Sequence, residues 1–295
     1  METETPLARC ADAEAWSTAE ALAAMLDRQA AAVAAVGEAL PDLARAVEAA
    51  AARLRDGAGR LVYAGAGSSA RIAAQDAAEL LPTFGWPPAR VAWLIAGGPG
   101  ALLRSVEGAE DDAAAGDRDA AALGLAPDDV VLAVAASGVT PYTRAAQAAA
   151  RRSGALTIAF ANNPEAPLLA EADHPILLRT GPEFLPGSTR LGAGTAQKVA
   201  LNLFSTQLMA RLGRVYRGRM VGLVPGNAKL IGRARRIVAE LAGYAPEAAA
   251  AALEAAGRDV RLAILMLDGL PRAEAESLLA ATGGDLGRAR ACATS

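Results

Sequence analysis

Short apolar runs alternate with helix-forming stretches through the middle of the chain. The runs lie near Leu61, Val91, Val130, Ala155 and Pro175, and each is only a few residues long. Continuous apolar runs of that length are typical of strands buried on both faces of a parallel sheet, and the stretches between them have the periodicity of helices. The alternation predicts an α/β fold, with a doubly wound parallel sheet flanked by helices.

The pattern is helical on both sides of this alternation. Upstream it predicts two helices that separate near Pro41, and Ser17 with Glu20 matches a capping box at the first helix start. Beyond Tyr216 the pattern becomes purely helical, and residues 257–291 predict a compact three-helix module. We therefore expect three segments, which are N-terminal helices over residues 1–54, an α/β domain over 55–218 and a helical region over 219–295.

The first strand passes directly into a turn rich in glycine and serine. Gly65 and Gly67 allow the backbone to bend and to approach a ligand closely. The free N–H groups at the start of the next helix, together with the hydroxyls of Ser68 and Ser69, then offer donors to an anion. The turn predicts a phosphate site.

The same turn also fits a dinucleotide-binding fingerprint in its Gly/Ala form, through Gly65, Gly67 and Ala70. That site needs an acidic residue at the end of the next strand, roughly 20 residues further on, to hold the ribose. Trp86-Pro87 occupies this distance, and the next strand ends in Gly97-Gly98. Because the acidic residue that would hold the ribose is missing, the pattern favours a small phosphorylated ligand over a dinucleotide.

A second hydroxyl-rich turn follows the strand that begins near Val130. It contains Ser137, Gly138 and Thr140, and Pro141 then suits the first turn of a helix with Thr140 as its N-cap. The carboxyl ends of parallel strands meet at one edge of the sheet, where ligands bind. We therefore expect the two turns to act together.

Composition narrows the choice of partners. The 295-residue chain has a net charge of −3 and a sequence pI near 5.4, which argues against nucleic acid. No apolar run reaches the roughly 18 residues of a membrane span, and Met1–Pro6 lacks a signal region, so we expect a cytoplasmic protein without membrane contact. Cys10 and Cys292 predict no disulfide framework, and the lone His174 predicts no metal site.

Two acidic clusters follow the first two strands. We expect Asp111 and Asp112 on a solvated surface, as is usual for a run of acids. Glu79 differs, because Ala77-Ala78 and Leu80-Leu81 flank it in the sequence. A carboxyl group in an apolar setting has a raised pKa, and it could donate a proton near neutral pH.

Family-specific segments occur along almost the whole chain. They are Thr3-Glu4, Ser17-Thr18-x-Glu20, Gly59-Arg60-Leu61, Gly65-Ala66-Gly67-x-Ser69, Asp76-Ala77-x-Glu79, Pro82-Thr83-Phe84-Gly85, Ile95-Ala96-Gly97-Gly98, Glu107-Gly108-Ala109-Glu110-Asp111, Ala135-Ala136-Ser137-Gly138-x-Thr140-Pro141-Tyr142, Asn163-Pro164, Gly187-Ser188-Thr189-Arg190 and Ala193-Gly194-Thr195-Ala196-Gln197-Lys198. On these segments the chain resembles the N-acetylmuramic acid 6-phosphate etherase family of the SIS (sugar isomerase) superfamily, to which the glucokinase regulatory protein is related.

The resemblance implies a lyase of cell-wall sugar recycling. Its substrate carries a D-lactyl ether on C3 and a phosphate on C6, and the carbonyl of the open-chain aldehyde acidifies the C2 proton. Elimination of lactate and addition of water give N-acetylglucosamine 6-phosphate and D-lactate. By motif, Glu110 is the base at C2, and Glu79 is the acid that protonates the leaving oxygen. Acid–base chemistry of this kind needs neither a metal nor a cofactor.

The 6-phosphate is expected to be bound by both loops and by a third turn before the last helix of the α/β domain. The donors are side-chain hydroxyls and backbone N–H groups. The residues expected there are Gly67, Ser68, Ser69, Ser137, Gly138, Thr140, Ser188 and Thr189.

Helix geometry adds an expectation about assembly. If the helix that starts near Ala70 is unbroken, Glu79 lies nine residues along it, or roughly 14 Å at a rise of 1.5 Å per residue. The phosphate and C3 of one sugar are much closer together. A two-fold interface can place Glu79 of one chain against the phosphate loop of the other. We therefore expect at least a homodimer, with each site built from two subunits.

Five positions depart from the etherase pattern. Ser68 and Ala70 stand where the family usually has Thr and Gly, Val139 where it has Arg, Leu7 where it has Asn, and Gly192 where Lys is common. The loss of an Arg and a Lys removes two anion contacts. These changes predict an altered substrate range or rate more than an altered fold.

Two other functions fit parts of the pattern. A non-catalytic sensor related to the glucokinase regulatory protein would keep the phosphate loops without needing both glutamates, and this chain is too short for two SIS domains. An aldose–ketose isomerase of the same fold disagrees with the segments around Glu79 and Glu110. Release of lactate from the muramic substrate distinguishes all three functions.

Overall fold

The structure is a computed structural model that describes residues 1–55 and 57–293. The chain forms two compact units. The first contains Met1–Ala77 and Ala89–Phe204, and the second contains Ala78–Pro88 and the chain from Ser205 onward. The N-terminal helices thus belong to the same unit as the sheet. The predicted division at residues 54 and 218 stays a prediction.

A five-stranded parallel sheet forms the centre of the first unit, with strand order β2-β1-β3-β4-β5. The strands are β1 Leu61–Gly65, β2 Val91–Ile95, β3 Val130–Val134, β4 Leu156–Ala161 and β5 His174–Leu177. Strands β1 and β3 are adjacent, and Gly65 pairs with Val134 at their carboxyl ends. Because the strand order reverses there, the loops that follow β1 and β3 flank a switch point, which is where ligands bind in open α/β sheets.

Helices cover both faces of this sheet. They are α1 Thr18–Glu38, α2 Leu40–Leu54, α3 Gly67–Phe84, α4 Ala113–Leu123, α5 Pro141–Arg152, α6 Pro167–Ala170 and α7 Gly192–Arg211, and the last turns of α3 and α7 belong to the second unit. On one face, Ala120 of α4 and Ala146 of α5 pack against Val62 and Val131. Helix α2 contacts β3, β4 and β5. This layered arrangement confirms the predicted doubly wound α/β class.

The predicted N-terminal helices are also confirmed. The Ser17 hydroxyl accepts a hydrogen bond from the backbone N–H of Glu20, and the Glu20 carboxylate accepts one from the backbone of Ser17, which completes the capping box. Helix α1 ends at Glu38, and Pro41 lies in the first turn of α2. Proline fits there because the first N–H groups of a helix have no intrahelical acceptor.

The second unit is mostly helical but begins with a short hairpin, β6 Val215–Tyr216 and β7 Arg219–Met220. The prediction of a purely helical pattern beyond Tyr216 is therefore wrong at this point. The two residues between the strands, Arg217 and Gly218, have φ values of 47° and 72°. Two consecutive positive φ values are typical of the type I′ turn that favours tight hairpins.

Five helices complete the second unit. They are α8 Ala228–Ala242, α9 Pro246–Ala255, α10 Val260–Leu267, α11 Arg272–Ala281 and α12 Leu286–Ala293. Their apolar sides share one core, to which Ile237, Leu253, Ile264 and Leu286 contribute. The last three helices confirm the predicted three-helix module. Within the described residues, no helix is both long enough and apolar enough to cross a membrane.

Candidate active site

The loop after β1 has the form expected of an anion site. Gly67 has a φ of 53°, a conformation that glycine adopts without strain, and it opens helix α3. Ser69 is buried and Ser68 is half-buried in the first turn of this helix. Backbone N–H groups at a helix start have no intrahelical acceptor and carry the positive end of the helix dipole. The loop can therefore bind a phosphate through neutral donors.

The loop after β3 places two hydroxyls side by side. The Ser137 and Thr140 oxygens are 3.5 Å apart, and Ser137 Oγ accepts the N–H of Val139 at 3.3 Å. Thr140 is the N-cap of α5 as predicted, but its hydroxyl makes no capping bond. Both hydroxyls thus stand at the start of a helix with hydrogen-bonding capacity left for a ligand.

Gly138 fixes the shape of this second loop. Its φ is 69°, and a Cβ added to it would lie 2.2 Å from the Cβ of Ala166. Any side chain here would therefore collide with the segment that leads into α6. A backbone hydrogen bond also holds the loop against α6, since Leu168 donates its N–H to the Gly138 carbonyl at 3.1 Å.

The third predicted element, the turn with Ser188 and Thr189, comes before α7, and both side chains are half-buried. Its neighbour Gly187 donates a backbone hydrogen bond to the carbonyl of Thr3 at 3.0 Å. Thr3 is fully buried, although it lies at the very start of the chain. The N-terminus is therefore fixed against the turn.

Asn163 links the N-terminus to the second loop. Its side-chain amide donates to the Thr3 hydroxyl at 3.2 Å and to the Ala136 carbonyl at 3.0 Å, directly before Ser137. It also accepts the backbone N–H of Thr3 at 3.4 Å. Both residues occur in the family-specific segments, but their pairing spans most of the chain and no local pattern predicted it.

Glu110 lines a pocket of about 330 Å³ beside the first loop. Its carboxylate lies 4.0 Å from the position that a Cβ on Gly67 would occupy. Its backbone carbonyl accepts the N–H of Tyr142, in the first turn of α5, at 3.0 Å. The fold thus brings Glu110 to both hydroxyl-rich loops. The full lining is Ala66, Gly67, Arg71, Ala96, Ala101, Ser105, Val106, Glu107, Gly108, Ala109 and Glu110.

Tyr142 anchors the helix start that holds the Glu110 backbone. The ring is buried, and its hydroxyl donates to the Asp119 carboxylate on α4 at 2.7 Å. Burial, reinforced by the bond to Asp119, raises the pKa of Tyr142, so the phenol stays protonated and remains a donor. Helices α4 and α5 are thereby linked beside the pocket.

The surroundings of Glu79 differ from the prediction. Glu79 is exposed, and it lies on the part of α3 that belongs to the second unit. Ala77 and Leu80 are buried, whereas Ala78 and Leu81 are exposed. The expectation of an apolar environment is therefore wrong within one chain, because neighbours in a helix sequence point to different sides. Glu79 does not line the pocket that contains Glu110.

Two buried carboxylates support the site, and sequence reasoning assigned neither of them a role. Asp76 accepts the Tyr63 hydroxyl at 2.7 Å and the Asn202 amide at 2.6 Å, which joins α3 to β1 and α7. Glu183 accepts the N–H groups of Gly192 and Ala193 at 2.9 and 2.8 Å, which caps α7 directly after the Ser188 turn. A helix start that already holds a carboxylate is not available to a substrate anion.

In the described part of the chain, no group of three or more His, Cys, Asp or Glu side chains could hold a metal ion.

Two family models match the chain. That of the glucokinase regulatory protein N-terminal SIS domain matches residues 42–150, and that of the SIS domain matches residues 110–209.

Relatives match over almost the whole length. An N-acetylmuramic acid 6-phosphate etherase from Deinococcus radiodurans is 53% identical over 93% of this chain and 91% of its own. An N-acetylmuramic acid 6-phosphate etherase from Salmonella agona is 46% identical over 97% of this chain and 96% of its own. The chain belongs to the N-acetylmuramic acid 6-phosphate etherase family. The resemblance drawn from the sequence segments is confirmed.

Two solved structures share the fold of this etherase-family chain. A protein described as a phosphosugar isomerase involved in capsule formation, from Bacteroides fragilis, has a TM-score of 0.51 and 23% identity, and the match covers 68% of this chain and 95% of that one. A phosphoheptose isomerase from Francisella tularensis has a TM-score of 0.52 and 20% identity, with 66% and 100% covered. At this identity the likeness concerns the fold alone.

Proposed function

We propose that this chain is an N-acetylmuramic acid 6-phosphate etherase that converts its substrate to N-acetylglucosamine 6-phosphate and D-lactate. Its near-full-length relatives carry that name. The observation that carries the proposal structurally is the position of Glu110, whose side chain lies beside the first loop while its backbone is bonded to the start of α5. A carboxylate at the meeting point of two anion-binding loops can reach a sugar that they hold.

The proposed reaction is an elimination followed by a hydration. Glu110 takes the C2 proton of the open-chain sugar, the C3–O bond breaks, and Glu79 protonates the departing lactate oxygen. Water then adds at C3 of the unsaturated aldehyde, and a proton returns to C2. The reaction breaks and forms one C–H bond at C2 and one C–O bond at C3, and the proton transfers that accompany these changes are of the kind that positioned carboxyl groups can catalyse.

The 6-phosphate is proposed to bind the hydroxyls of Ser68, Ser69, Ser137 and Thr140, with the backbone around Gly67 and Gly138. Ser188 and Thr189 are proposed to complete the site from the third turn. The support is the pair of hydroxyls 3.5 Å apart at the start of α5, free of capping bonds. Hydroxyl and backbone donors at helix starts suit a phosphate without requiring a cation.

Ser137 provides the test of this phosphate site. We expect Ser137→Ala to weaken binding of N-acetylglucosamine 6-phosphate by about 1–3 kcal/mol, the usual value of a hydrogen bond to a charged group. Isothermal titration measures the affinity. Ser153→Ala is the matched control, because the Ser153 hydroxyl bonds the Ala150 carbonyl at the far end of α5. Equal affinities for the Ser137 variant and the unmodified protein would remove Ser137 from the site.

The active form is proposed to be at least a homodimer in which Glu79 serves the site of the partner subunit. Helix α3 runs unbroken from Gly67 to Phe84, so the rise of about 14 Å between Ala70 and Glu79 is retained. Glu79 and its neighbours Ala78 and Leu81 are exposed in the single chain. A second copy could cover them and bring Glu79 to a neighbouring pocket.

Release of D-lactate from N-acetylmuramic acid 6-phosphate by the purified protein tests the proposal directly. A chain that binds the sugar phosphate without releasing lactate would be a sensor, and the etherase proposal would be wrong.

The proposed location is the cytoplasm. The two free cysteines, Cys10 and Cys292, support it, since disulfides are rare in that compartment.

A further inference from the structure

Arg71 is the one basic side chain that lines the described pocket, and it shares that pocket with Glu107 and Glu110. It stands in the early turns of α3, shortly after Gly67, and it is half-buried. Arg71 lies outside the family-specific segments, and it has no part in the proposed roles of the glutamates. A guanidinium that shares a pocket with two carboxylates and with Gly67 of the first loop is placed to bind a second anion.

The guanidinium is held rigidly, and its neighbours do not neutralise it. Nε of Arg71 donates to the Leu102 carbonyl at 3.0 Å, and Nη2 donates to the Ala101 carbonyl at 3.1 Å. Nη2 also lies 3.5 Å from the Ser105 hydroxyl. All three acceptors are neutral. Over residues 1–55 and 57–293, Nη1 has no hydrogen-bond acceptor in the protein and Arg71 has no ion-pair partner.

Three other arginines of the first unit, in contrast, have ion-pair partners. Arg60 pairs with Asp129 at 2.6 Å, Arg179 pairs with Glu2 at 2.6 Å, and Arg144 pairs with Glu171. Each of these pairs cancels its charge within the protein. Arg71 keeps its positive charge, while its orientation is fixed by backbone carbonyls, so less side-chain entropy is lost when a ligand binds.

The substrate of the proposed reaction carries a second anion that needs such a group. Its phosphate is met by hydroxyls and helix starts, but the carboxylate of the lactyl group must enter a pocket that already contains Glu107 and Glu110. Like charges repel unless a cation lies between them. The lactyl ether is attached to C3, the carbon next to the one from which Glu110 takes a proton, so its carboxylate must lie near Glu110.

We infer that Arg71 binds the lactyl carboxylate and thereby distinguishes the muramic substrate from sugar phosphates that lack this group. The inference rests on the proposed etherase function. A planar guanidinium makes charge-assisted hydrogen bonds to a carboxylate. N-Acetylglucosamine 6-phosphate has only a hydroxyl at C3, so its binding does not need Arg71.

The experiment compares two reactions of one variant. For Arg71→Gln we expect KM for lactate release to rise about 10- to 100-fold, as for the loss of a hydrogen bond to a charged group. Exchange of the C2 proton of N-acetylglucosamine 6-phosphate with deuterated solvent should change less than about twofold, because this sugar lacks the carboxylate. Arg71→Lys, which keeps the charge but loses the planar donors, should recover part of the loss.

A neutral ether provides the second measurement. The unmodified protein should prefer the lactyl ether over the 3-O-methyl ether of N-acetylglucosamine 6-phosphate, and Arg71→Gln should lose most of that preference. Arg104→Gln, an exposed arginine in the same segment, is the matched control and should change neither reaction.

Equal losses in lactate release and proton exchange would overturn the inference, because they would show that Arg71 only supports the segment with Ala101 and Leu102. Unchanged kinetics would overturn it as well. Failure of the unmodified protein to release lactate would refute the etherase function instead, so the two failures are distinguishable.

Discussion

Glu110 and Glu79 are assigned to the two halves of one reaction, yet the chain surrounds them in different ways. Glu110 lines a pocket, its carbonyl is bonded to the start of α5, and Gly67 of the first loop lies beside its carboxylate. Glu79 is exposed on α3 and lines no part of that pocket. One carboxylate is positioned by its own subunit, and the other is presented at the surface.

Under the proposed mechanism, this difference predicts that the two proton transfers depend on dimer assembly in different ways. In the proposed reaction, removal of the C2 proton requires a base that is fixed relative to the sugar, and one chain supplies Glu110 together with the two loops proposed to bind the phosphate. Protonation of the leaving oxygen is proposed to come from Glu79, whose exposed position suits contact with a second copy. Proton exchange and ether cleavage should therefore fall together when Glu110 is changed and should separate when Glu79 is changed.

The largest expected effect is that of Glu110→Gln. An amide cannot accept the C2 proton, so lactate release and exchange of the C2 proton with solvent should both fall by about 10²–10⁴-fold or more. Proton exchange is followed by NMR in deuterated buffer with N-acetylglucosamine 6-phosphate. Glu107→Gln is the matched control, because Glu107 lines the same pocket. If Glu110→Gln exchanged the C2 proton at the normal rate and Glu107→Gln did not, the base would be Glu107 and not Glu110.

The sequence predicts much of the Glu110 half of this comparison, because apolar runs followed by glycine and serine mark the carboxyl ends of β1 and β3. The sequence does not predict hydrogen bonds between residues that are distant in the chain, and it does not show which side of a helix a residue faces. The bonds between Thr3 and Asn163 join residues 160 positions apart in the sequence, and they follow from tertiary packing alone. The exposure of Glu79 was missed because only Ala77 and Leu80 of its apolar neighbours are buried, whereas Ala78 and Leu81 are exposed as Glu79 is. Hairpin β6–β7 was missed because Arg217 has a positive φ that its residue type does not favour.

Glu79→Gln should affect only one of the two reactions. Lactate release should be lost, because the leaving oxygen is no longer protonated, whereas exchange of the C2 proton should continue, because the base and its loops remain. The same NMR and lactate assays measure both. Loss of exchange to the extent seen for Glu110→Gln would show that Glu79 also takes part in proton removal, and the comparison between the two glutamates would fail.

Mixed oligomers determine which subunit supplies Glu79. Chains carrying Glu79→Gln and chains carrying Glu110→Gln are inactive separately, but a mixed dimer with shared sites has one site in which both glutamates are intact. Mixed dimers isolated with two affinity tags should then show about half of the unmodified activity. Dimers of each variant alone are the controls. No recovery in verified mixed dimers would place both glutamates in the site of one chain.

Tyr142→Phe should give the smallest effect. It tests whether the start of α5, which Tyr142 anchors, helps to position Glu110. The substitution removes the bond from the buried hydroxyl to Asp119, so thermal unfolding should show a loss of about 0.5–1.5 kcal/mol in stability. Lactate release and proton exchange should decline together by a small factor, since both begin with Glu110, and the ratio of the two rates should not change. Because burial raises the pKa of Tyr142, the phenol is protonated throughout the neutral range, and the variant should keep the pH profile of the unmodified protein. A selective loss of lactate release would show that α5 also positions the acid. The position of Glu79 would then depend on the same helix as that of Glu110, although Glu79 is exposed.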